Sequence, residues 1–168
     1  MSTRNHHSPN RTRRWLIAAG GLAVTASAGG AVTWFNVFAD AAADGALTVE
    51  EVHKRANAED VYLIDIRRPD EWKRTGIASS AIPLDMRRDD FETTLRSLIA
   101  QKGERPVALI CARGVRSDRM NRRLMEAGFT NIIDVPEGMI GSGAGPGWIA
   151  RDLPLRPPTA KELDGQIL

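Results

Sequence analysis

Three short runs of apolar, mostly branched residues constrain the fold of this chain more than any other feature. They occupy residues 61–66, 106–110 and 132–135. Each run is shorter than a typical buried helix and is typical of a strand whose two faces are both covered. The segments between the runs carry helical patterns, so the sequence predicts strands that alternate with helices.

The helical segments have characteristic beginnings and spacings. Thr48 and Glu51 have the spacing of a capping box, Pro69 suits the first turn of a helix, and apolar residues recur at helical intervals farther along. These patterns predict helices over 49–58, from residue 69, over 90–100 and over 116–127. The alternation indicates an α/β fold with an open, mainly parallel sheet and helices on both faces. Residues 75–86 are expected to be irregular.

The first 44 residues differ in character from the rest. Residues 15–39 contain no charged side chain, and as a helix they could cross a hydrocarbon core of about 30 Å. Four arginines precede this run, and no acidic residue occurs before Asp40. This asymmetry predicts an exported protein that is periplasmic or anchored to the cytoplasmic membrane facing the periplasm. Two forms remain open: a signal peptide cleaved near 39–43, and an uncleaved membrane anchor.

Arg13 and Arg14, just before a mildly apolar stretch, resemble a twin-arginine export signal, although they can also serve only as orienting charge. We therefore divide the chain into a leader over 1–44, a folded domain over 45–156 and an extended tail over 157–168. After residue 39, nineteen Lys and Arg face twenty-one Asp and Glu. This near-neutral balance gives no electrostatic reason to expect nucleic acid as a partner.

Cys111 is the only cysteine, and it directly follows the apolar run 106–110. A single cysteine excludes an internal disulfide framework and a zinc site built from several thiolates. The loop 111–117 leads into the predicted helix, so its N–H groups and the positive helix end would face a ligand beyond the strand. Gly114 permits a tight turn, and Arg113 and Arg116 add positive charge. Such a loop favours a thiolate that attacks sulfur and then holds it as a persulfide.

Two plainer interpretations of these residues remain open. A free cysteine at a strand end is often only a small buried apolar side chain. Arg113 and Arg116 can belong to a solvated basic surface, which is the interpretation we adopt for Arg119, Arg122 and Arg123.

The loop resembles the active loop of the single-domain rhodanese family. That loop has the form Cys-x-x-Gly-x-Arg-Ser, and the matching residues are Cys111, Gly114, Arg116 and Ser117. A second family element, Asp-x-Arg followed by Pro-x-Glu and an aromatic residue, is matched over 65–72. A third, a glycine followed by tryptophan, is echoed by Gly138 and Trp148. The resemblance covers about residues 47–155, although the histidine common in the family is absent from 75–81.

The resemblance implies a sulfurtransferase with Cys111 as the catalytic sulfur carrier and with no cofactor or metal. It places the following residues at the substrate site: Arg113, Gly114, Val115, Arg116, Ser117, Asp65 and Arg67. For Asp65 and Arg67 the alternative is an ion pair that ties the strand to the next helix. The implied partners are a small-molecule donor such as thiosulfate and a thiol or cyanide-like acceptor, or a protein acceptor. The alternative function is a rhodanese-like module that binds or relays sulfur without catalysis.

A phosphatase or arsenate reductase on a similar fold is a third hypothesis. Four residues separate Cys111 from Arg116, whereas cell-cycle tyrosine phosphatases that resemble this fold have five. A tetrahedral phosphoryl group needs a wider ring of N–H donors, and the shorter loop favours a single sulfur atom. Arsenate reduction would also need a thiol from outside the chain.

Overall fold

The computed structural model describes residues 46–166. The expected leader over 1–44, with its export signal, cleavage sites or membrane anchor, lies outside this range. Within the range, no helix has both the length and the apolar character needed to span a membrane.

A four-stranded parallel sheet forms the centre of the fold. Its strand order is β3-β1-β4-β5, with β1 (Tyr62–Asp65), β3 (Ile82–Pro83), β4 (Val107–Ile110) and β5 (Ile132–Asp134). The helices are α1 (Val49–Asn57), α2 (Pro69–Thr75), α3 (Phe91–Lys102), α4 (Val115–Glu126), α5 (Gly147–Ala150) and α6 (Ala160–Leu163). Two short strands, β2 (Ile77–Ala78) and β6 (Leu155–Arg156), pair antiparallel outside the main sheet.

Side chains that alternate along the strands separate the core into two layers. Leu63 of β1 and Ala108 of β4 pack in the first layer with α1, α2 and α5. Ile64 and Leu109, their neighbours in sequence, pack in the second layer with α3 and α4. Successive side chains of a strand point to opposite faces, so a parallel sheet covered on both faces has two apolar surfaces. The predicted α/β fold with helices on both faces is confirmed.

Two segments differ from the sequence predictions. Residues 75–86 were expected to be irregular, yet they contain β2 and β3, which are only two residues long. Strands this short show no alternation that a sequence pattern could reveal. The expected extended tail over 157–168 includes α6, which begins with a capping box between Thr159 and Glu162. The prolines that precede this helix indicated an extended segment, so the sequence analysis did not predict the helix.

Candidate active site

Cys111 lies at the carboxyl end of β4, in the turn between this central strand and α4. Its side chain projects into the second layer, on the same face as Leu109, and it is only 1% exposed. The strand fixes the position of the thiol, and the start of α4 lies beside it. This is the place in an open α/β sheet where ligands bind.

The loop after Cys111 presents a continuous set of backbone donors. Within the described range, none of the N–H groups from Ala112 to Ser117 donates a hydrogen bond to a protein acceptor. The first bond that joins the helix to the loop runs from Asp118 N to the Gly114 carbonyl, at 3.0 Å. Six free amides at the start of a 12-residue helix form an electropositive site for an anion.

A second segment, residues 136–140, forms the wall behind this loop. Met139 N donates to the Cys111 carbonyl at 2.8 Å, and Ile140 N donates to the Ala112 carbonyl at 3.0 Å. Gly114 has φ +81°, and a Cβ there would collide with the Pro136 carbonyl oxygen. Gly138 has φ +70°, and a Cβ there would lie 2.5 Å from the Ala112 carbonyl oxygen. Both glycines are required because the two backbones touch.

Ser117 is the polar side chain in contact with the thiol. It is fully buried in the first turn of α4, and its Oγ lies 3.5 Å from the Cys111 Sγ. The same hydroxyl donates a hydrogen bond to the Gly114 carbonyl at 2.8 Å. Ser117 therefore closes the loop on itself and places a hydroxyl beside the sulfur.

Arg116 is held by a carboxylate that the sequence analysis did not assign to the site. Its two terminal nitrogens contact Glu71 of α2, at 2.8 Å to Oε2 and 2.6 Å to Oε1. Burial raises the pKa of Glu71, but hydrogen bonds from Arg116 and from the Arg68 amide outweigh it, so the pKa is lowered overall. Glu71 in turn raises the pKa of Arg116. Arg116 thus acts first as a tie between α2 and the active loop.

Glu71 could have been found only in part from the sequence. It belongs to the Pro-x-Glu-aromatic element, which marks the position, but it lies 45 residues from Arg116. No local pattern indicates a contact over that separation.

Arg113 and Val115 point outward from the loop. Val115 is 66% exposed, and the Arg113 side chain is exposed and makes no ion pair or hydrogen bond with residues 46–166. Two other exposed arginines are paired, since Arg68 pairs with Asp70 and Arg87 pairs with Asp85. Arg113 is therefore a cation at the loop that remains available to an anionic ligand.

Asp65 and Arg67 lie away from the thiol. They form a fully buried ion pair, with Arg67 Nη2 at 2.7 Å from Asp65 Oδ2. The Arg67 guanidinium also donates to the Thr75 hydroxyl and to the Gly76 carbonyl, each at 2.7 Å. Asp65 alternates with Ile64, so its side chain faces the sheet surface opposite Cys111. The geometry is that of the ion pair which the sequence analysis kept as the alternative, tying β1 to the end of α2.

The fold and the loop define the class of protein. The family model of the rhodanese-like domain matches residues 48–141, more than half of the chain. The protein therefore belongs to the rhodanese-like domain family. Within the part of the chain that the structure describes, no group of three or more His, Cys, Asp and Glu residues could hold a metal ion.

Among curated proteins, the chain is similar to the uncharacterized protein YibN of Escherichia coli strain K12. The two are 23% identical over 109 residues, which make up 65% of this chain and 70% of YibN. YibN of Escherichia coli O6:H1 matches to the same extent.

Solved structures with TM-scores above 0.5 share the fold. A Rhodopseudomonas palustris protein of unknown function, described as a possible tyrosine phosphatase, has a TM-score of 0.51 at 19% identity and covers 81% of this chain and 100% of its own. The Alr3790 protein of Anabaena also has a TM-score of 0.51, at 14% identity. The match covers 71% of this chain and 87% of Alr3790. The polysulfide-sulfur transferase homodimer of Wolinella succinogenes is 26% identical, with a TM-score of 0.48. The match covers 75% of this chain and 89% of the transferase chain.

Proposed function

We propose that this protein is a sulfurtransferase that moves sulfane sulfur from a donor such as thiosulfate to a thiophilic acceptor through a persulfide on Cys111. The observation that carries this proposal is the set of six amides from Ala112 to Ser117 that have no acceptor among residues 46–166, next to the single thiol of the chain. A persulfide ends in one anionic sulfur, and convergent N–H donors stabilise such a charge. Membership of the rhodanese-like family supports the same chemistry.

The reaction has two displacement steps. The Cys111 thiolate attacks the outer sulfur of thiosulfate, a bond forms between Sγ and that sulfur, and sulfite leaves with the electron pair of the donor's S–S bond. An acceptor such as cyanide then attacks the outer sulfur of the persulfide. The electron pair of the persulfide bond returns to Sγ, which regenerates the thiolate, so no external oxidant or reductant is needed.

Each loop residue has a separate role in this scheme. Arg113 is exposed and has no ion-pair partner within residues 46–166, so it attracts the dianionic donor. Gly114 and Val115 contribute backbone N–H groups that face the developing charge, and the Ser117 hydroxyl lies beside the sulfur. Arg116 keeps the loop in position through Glu71, and its charge adds to the positive field at the thiol.

The test is to incubate the purified protein with thiosulfate and to measure its intact mass. The mass should rise by one sulfur atom in the native protein and not in Cys111→Ser, because a hydroxyl cannot carry a persulfide. Addition of cyanide should release thiocyanate over many turnovers. A persulfide that forms but does not turn over with small acceptors would favour the sulfur-carrier alternative. A native protein whose mass does not change would contradict both the sulfurtransferase proposal and the sulfur-carrier alternative.

Phosphate ester hydrolysis requires a separate test, since one protein with this fold is described as a possible tyrosine phosphatase. The four-residue spacing between Cys111 and Arg116 gives a narrow loop. Both terminal nitrogens of Arg116 already donate hydrogen bonds to Glu71. We expect no hydrolysis of an aryl phosphate by the native protein. Robust hydrolysis that is lost in Cys111→Ser would overturn the assignment. Activity that appears only after one residue is inserted between Val115 and Arg116 would support it.

A further inference from the structure

The solvent-facing side chains of α4 take no part in the reaction described above. We use the name α4 face for the surface formed by Val115, Arg119, Arg122 and Met125. Its two apolar members are 66% exposed at Val115 and 60% exposed at Met125, more than any other large apolar side chain of residues 46–166. Their separation of ten residues corresponds to about 15 Å along a helix. The α4 face therefore begins at the active loop and extends away from Cys111 along the whole helix.

Positive charge is concentrated on the active loop and α4. Residues 111–127 contain five arginines and two acidic residues, whereas the other residues of 46–166 contain fourteen Lys and Arg and seventeen Asp and Glu. Positive and negative residues balance over the whole of that range, so the excess beside Cys111 is local. Such a distribution attracts an acidic partner to the active loop and repels a basic one.

Arg119 lies at the centre of this charge. It is exposed, and it makes no ion pair or hydrogen bond with residues 46–166. The residues three and four positions away on the helix are Val115, Arg116, Arg122 and Arg123. All the charged side chains at these spacings are therefore arginines, and like charges at such spacings destabilise a helix. A carboxylate supplied by another molecule would relieve this repulsion.

Two other arginines of α4 are paired within the protein. Arg122 contacts Asp118 at 2.7 Å, and Arg123 contacts Glu92 at 3.0 Å. Neither acid pairs with Arg119, although Asp118 is its neighbour in sequence. The sequence pattern alone indicated only a solvated basic surface here. The structure adds that one arginine has no partner among residues 46–166 and lies between two exposed apolar side chains.

We propose that the α4 face is the docking site of a protein acceptor, and that it binds an acidic segment which carries the acceptor cysteine. Carboxylates of the segment pair with Arg119 and with Arg113, which is exposed at the loop, and an apolar side chain covers Met125. Ile140, 42% exposed in the 136–140 segment, provides an apolar contact at the thiol end. The inference rests on the proposed function, because it names the class of molecule that receives the sulfur.

Transfer of sulfur to such a segment is balanced without an oxidant or reductant. The acceptor thiol gives its proton to solvent, and the thiolate attacks the outer sulfur of the Cys111 persulfide. A new S–S bond forms on the acceptor, and the bond between the outer sulfur and Cys111 Sγ breaks. Its electron pair returns to Sγ. The acceptor leaves as a persulfide, and Cys111 is again a thiolate.

Sulfur transfer to synthetic peptides tests the docking site. The full-length protein is loaded with thiosulfate, freed of excess donor and mixed with a peptide that has one central cysteine among aspartates. A leucine stands about five residues from the cysteine on each side, since about five extended residues span 15 Å. The matched peptide has asparagine in place of every aspartate. The mass of each peptide reports the persulfide formed.

The acidic peptide should accept sulfur at least about tenfold faster than the asparagine peptide at low ionic strength. Nearby carboxylates hold a thiol in its protonated form, so each rate is divided by the rate at which iodoacetamide alkylates the same peptide. The advantage should fall below about threefold near 1 M salt, where charges are screened within about 3 Å. These comparisons need only the native protein.

Charge reversal at Arg119 separates docking from chemistry. Arg119→Glu should slow transfer to the acidic peptide at least about fivefold and speed transfer to a peptide with lysines in place of the aspartates. Thiocyanate production from cyanide at saturating thiosulfate should stay within about twofold of the native rate. The control is Lys161→Glu, which reverses an exposed charge on α6, where Leu163 packs against the first layer of the core. This control should leave all the rates unchanged.

Met125→Gln tests the apolar end of the α4 face. This change should slow transfer to the acidic peptide about threefold, equivalent to losing part of one buried apolar side chain. The effect should disappear when serine replaces the leucines of the peptide. A variant that slows both peptides equally would contradict the apolar contact and overturn this part of the proposal.

Failure of this inference and failure of the proposed function give different results. Turnover with cyanide, together with equal transfer to the acidic and asparagine peptides, would overturn the docking site and leave the proposed function in place. No turnover with any acceptor would overturn both. With no preference among the peptides, a dimer that Arg119→Glu dissociates, or binding to anionic lipid vesicles that it weakens, would assign the α4 face to a second copy or to a membrane. Either result would overturn the proposal.

Discussion

Arg113 and Arg116 belong to the same short loop and carry the same charge, but their surroundings assign them different tasks. Arg116 has both terminal nitrogens on the Glu71 carboxylate and is 30% exposed. Arg113 is exposed and has no such partner within residues 46–166. A charge that is already paired supports the structure, whereas an unpaired one at the loop can bind an incoming anion. This difference leads to opposite expectations for the two side chains.

Arg113→Ala is expected to weaken the use of anionic donors without destabilising the protein. The change should raise the apparent KM for thiosulfate several-fold and alter the free energy of unfolding by less than about 0.5 kcal/mol, because the exposed side chain makes no hydrogen bond or ion pair with residues 46–166. Saturation kinetics with thiosulfate, beside thermal unfolding, provide the check. Arg119→Ala is the control, since it removes an exposed arginine from α4 beyond the loop. Equal KM values in the two variants would contradict this role.

Glu71→Gln should have the opposite profile. It leaves the partly buried Arg116 without its carboxylate, so unfolding should become easier by about 1–3 kcal/mol and sulfur transfer should fall at least tenfold as the loop loosens. Glu92→Gln is the matched control, because its partner Arg123 is 59% exposed and the pair should contribute little. Chemical denaturation and thiosulfate turnover measure the two effects.

The contribution of Glu71 also has a defined pH dependence. Its pKa is lower in the folded protein, where Arg116 and the Arg68 amide outweigh the effect of burial, than in the unfolded chain. A group of this kind adds its full stability above its unfolded pKa and loses it as the pH falls through the folded value. The stability difference between the native protein and Glu71→Gln should therefore be constant near neutral pH and shrink in acid. A difference that grows in acid would mean that the sign is wrong.

At the scale of elements, the active loop depends on close contact with the 136–140 segment. The loop runs from the end of β4 to the start of α4, and Gly114 lets it turn against the Pro136 carbonyl. Met139 N and Ile140 N then bind the carbonyls of Cys111 and Ala112. Backbone contacts of this kind leave the amide groups on the other side of the loop free for a ligand.

Gly114→Ala is expected to abolish sulfur transfer, and Gly128→Ala is its matched control. Both glycines have nearly the same backbone angle, φ +81° and φ +82°, so both substitutions carry a similar strain of about 1 kcal/mol. Only at position 114 would the new Cβ meet another backbone, whereas nothing lies within 4 Å at position 128. Persulfide formation and thermal unfolding should separate the two variants. Full activity in Gly114→Ala would show that the loop can move away from its wall.

At the scale of the whole molecule, the sequence predicts whatever depends on contiguous residues. The apolar runs place β1, β4 and β5 to within one or two residues, and the capping box at Thr48 gives the start of α1. The position of Cys111 between a strand and a helix follows from the same contiguous patterns.

The features that were missed depend on contacts between distant parts of the chain. The strands β2 and β6 are two residues long, and Ile77 pairs with Arg156, far away in sequence. Glu71 reaches Arg116 across 45 residues, and no periodicity reports such a contact. Asp65 lies away from the thiol because it occupies the face of β1 opposite Cys111. That placement requires the register of the sheet as well as the sequence.

The location of the folded domain depends on the leader. Residues 15–39 carry no charge, and the four arginines before them have no acidic counterpart ahead of Asp40. Positive charge on one side of an apolar run holds that side in the cytoplasm, so the chain after residue 45 should be exported. A reporter that is active only outside the cytoplasm, fused after residue 45, should be active, and a cytoplasmic reporter fused there should not. Deletion of 15–39 should reverse the pattern. Joint Arg13→Lys and Arg14→Lys changes keep the charge, so they should stop export only if the pair acts as a twin-arginine signal. A cytoplasmic reporter that is active on the full leader would contradict the prediction.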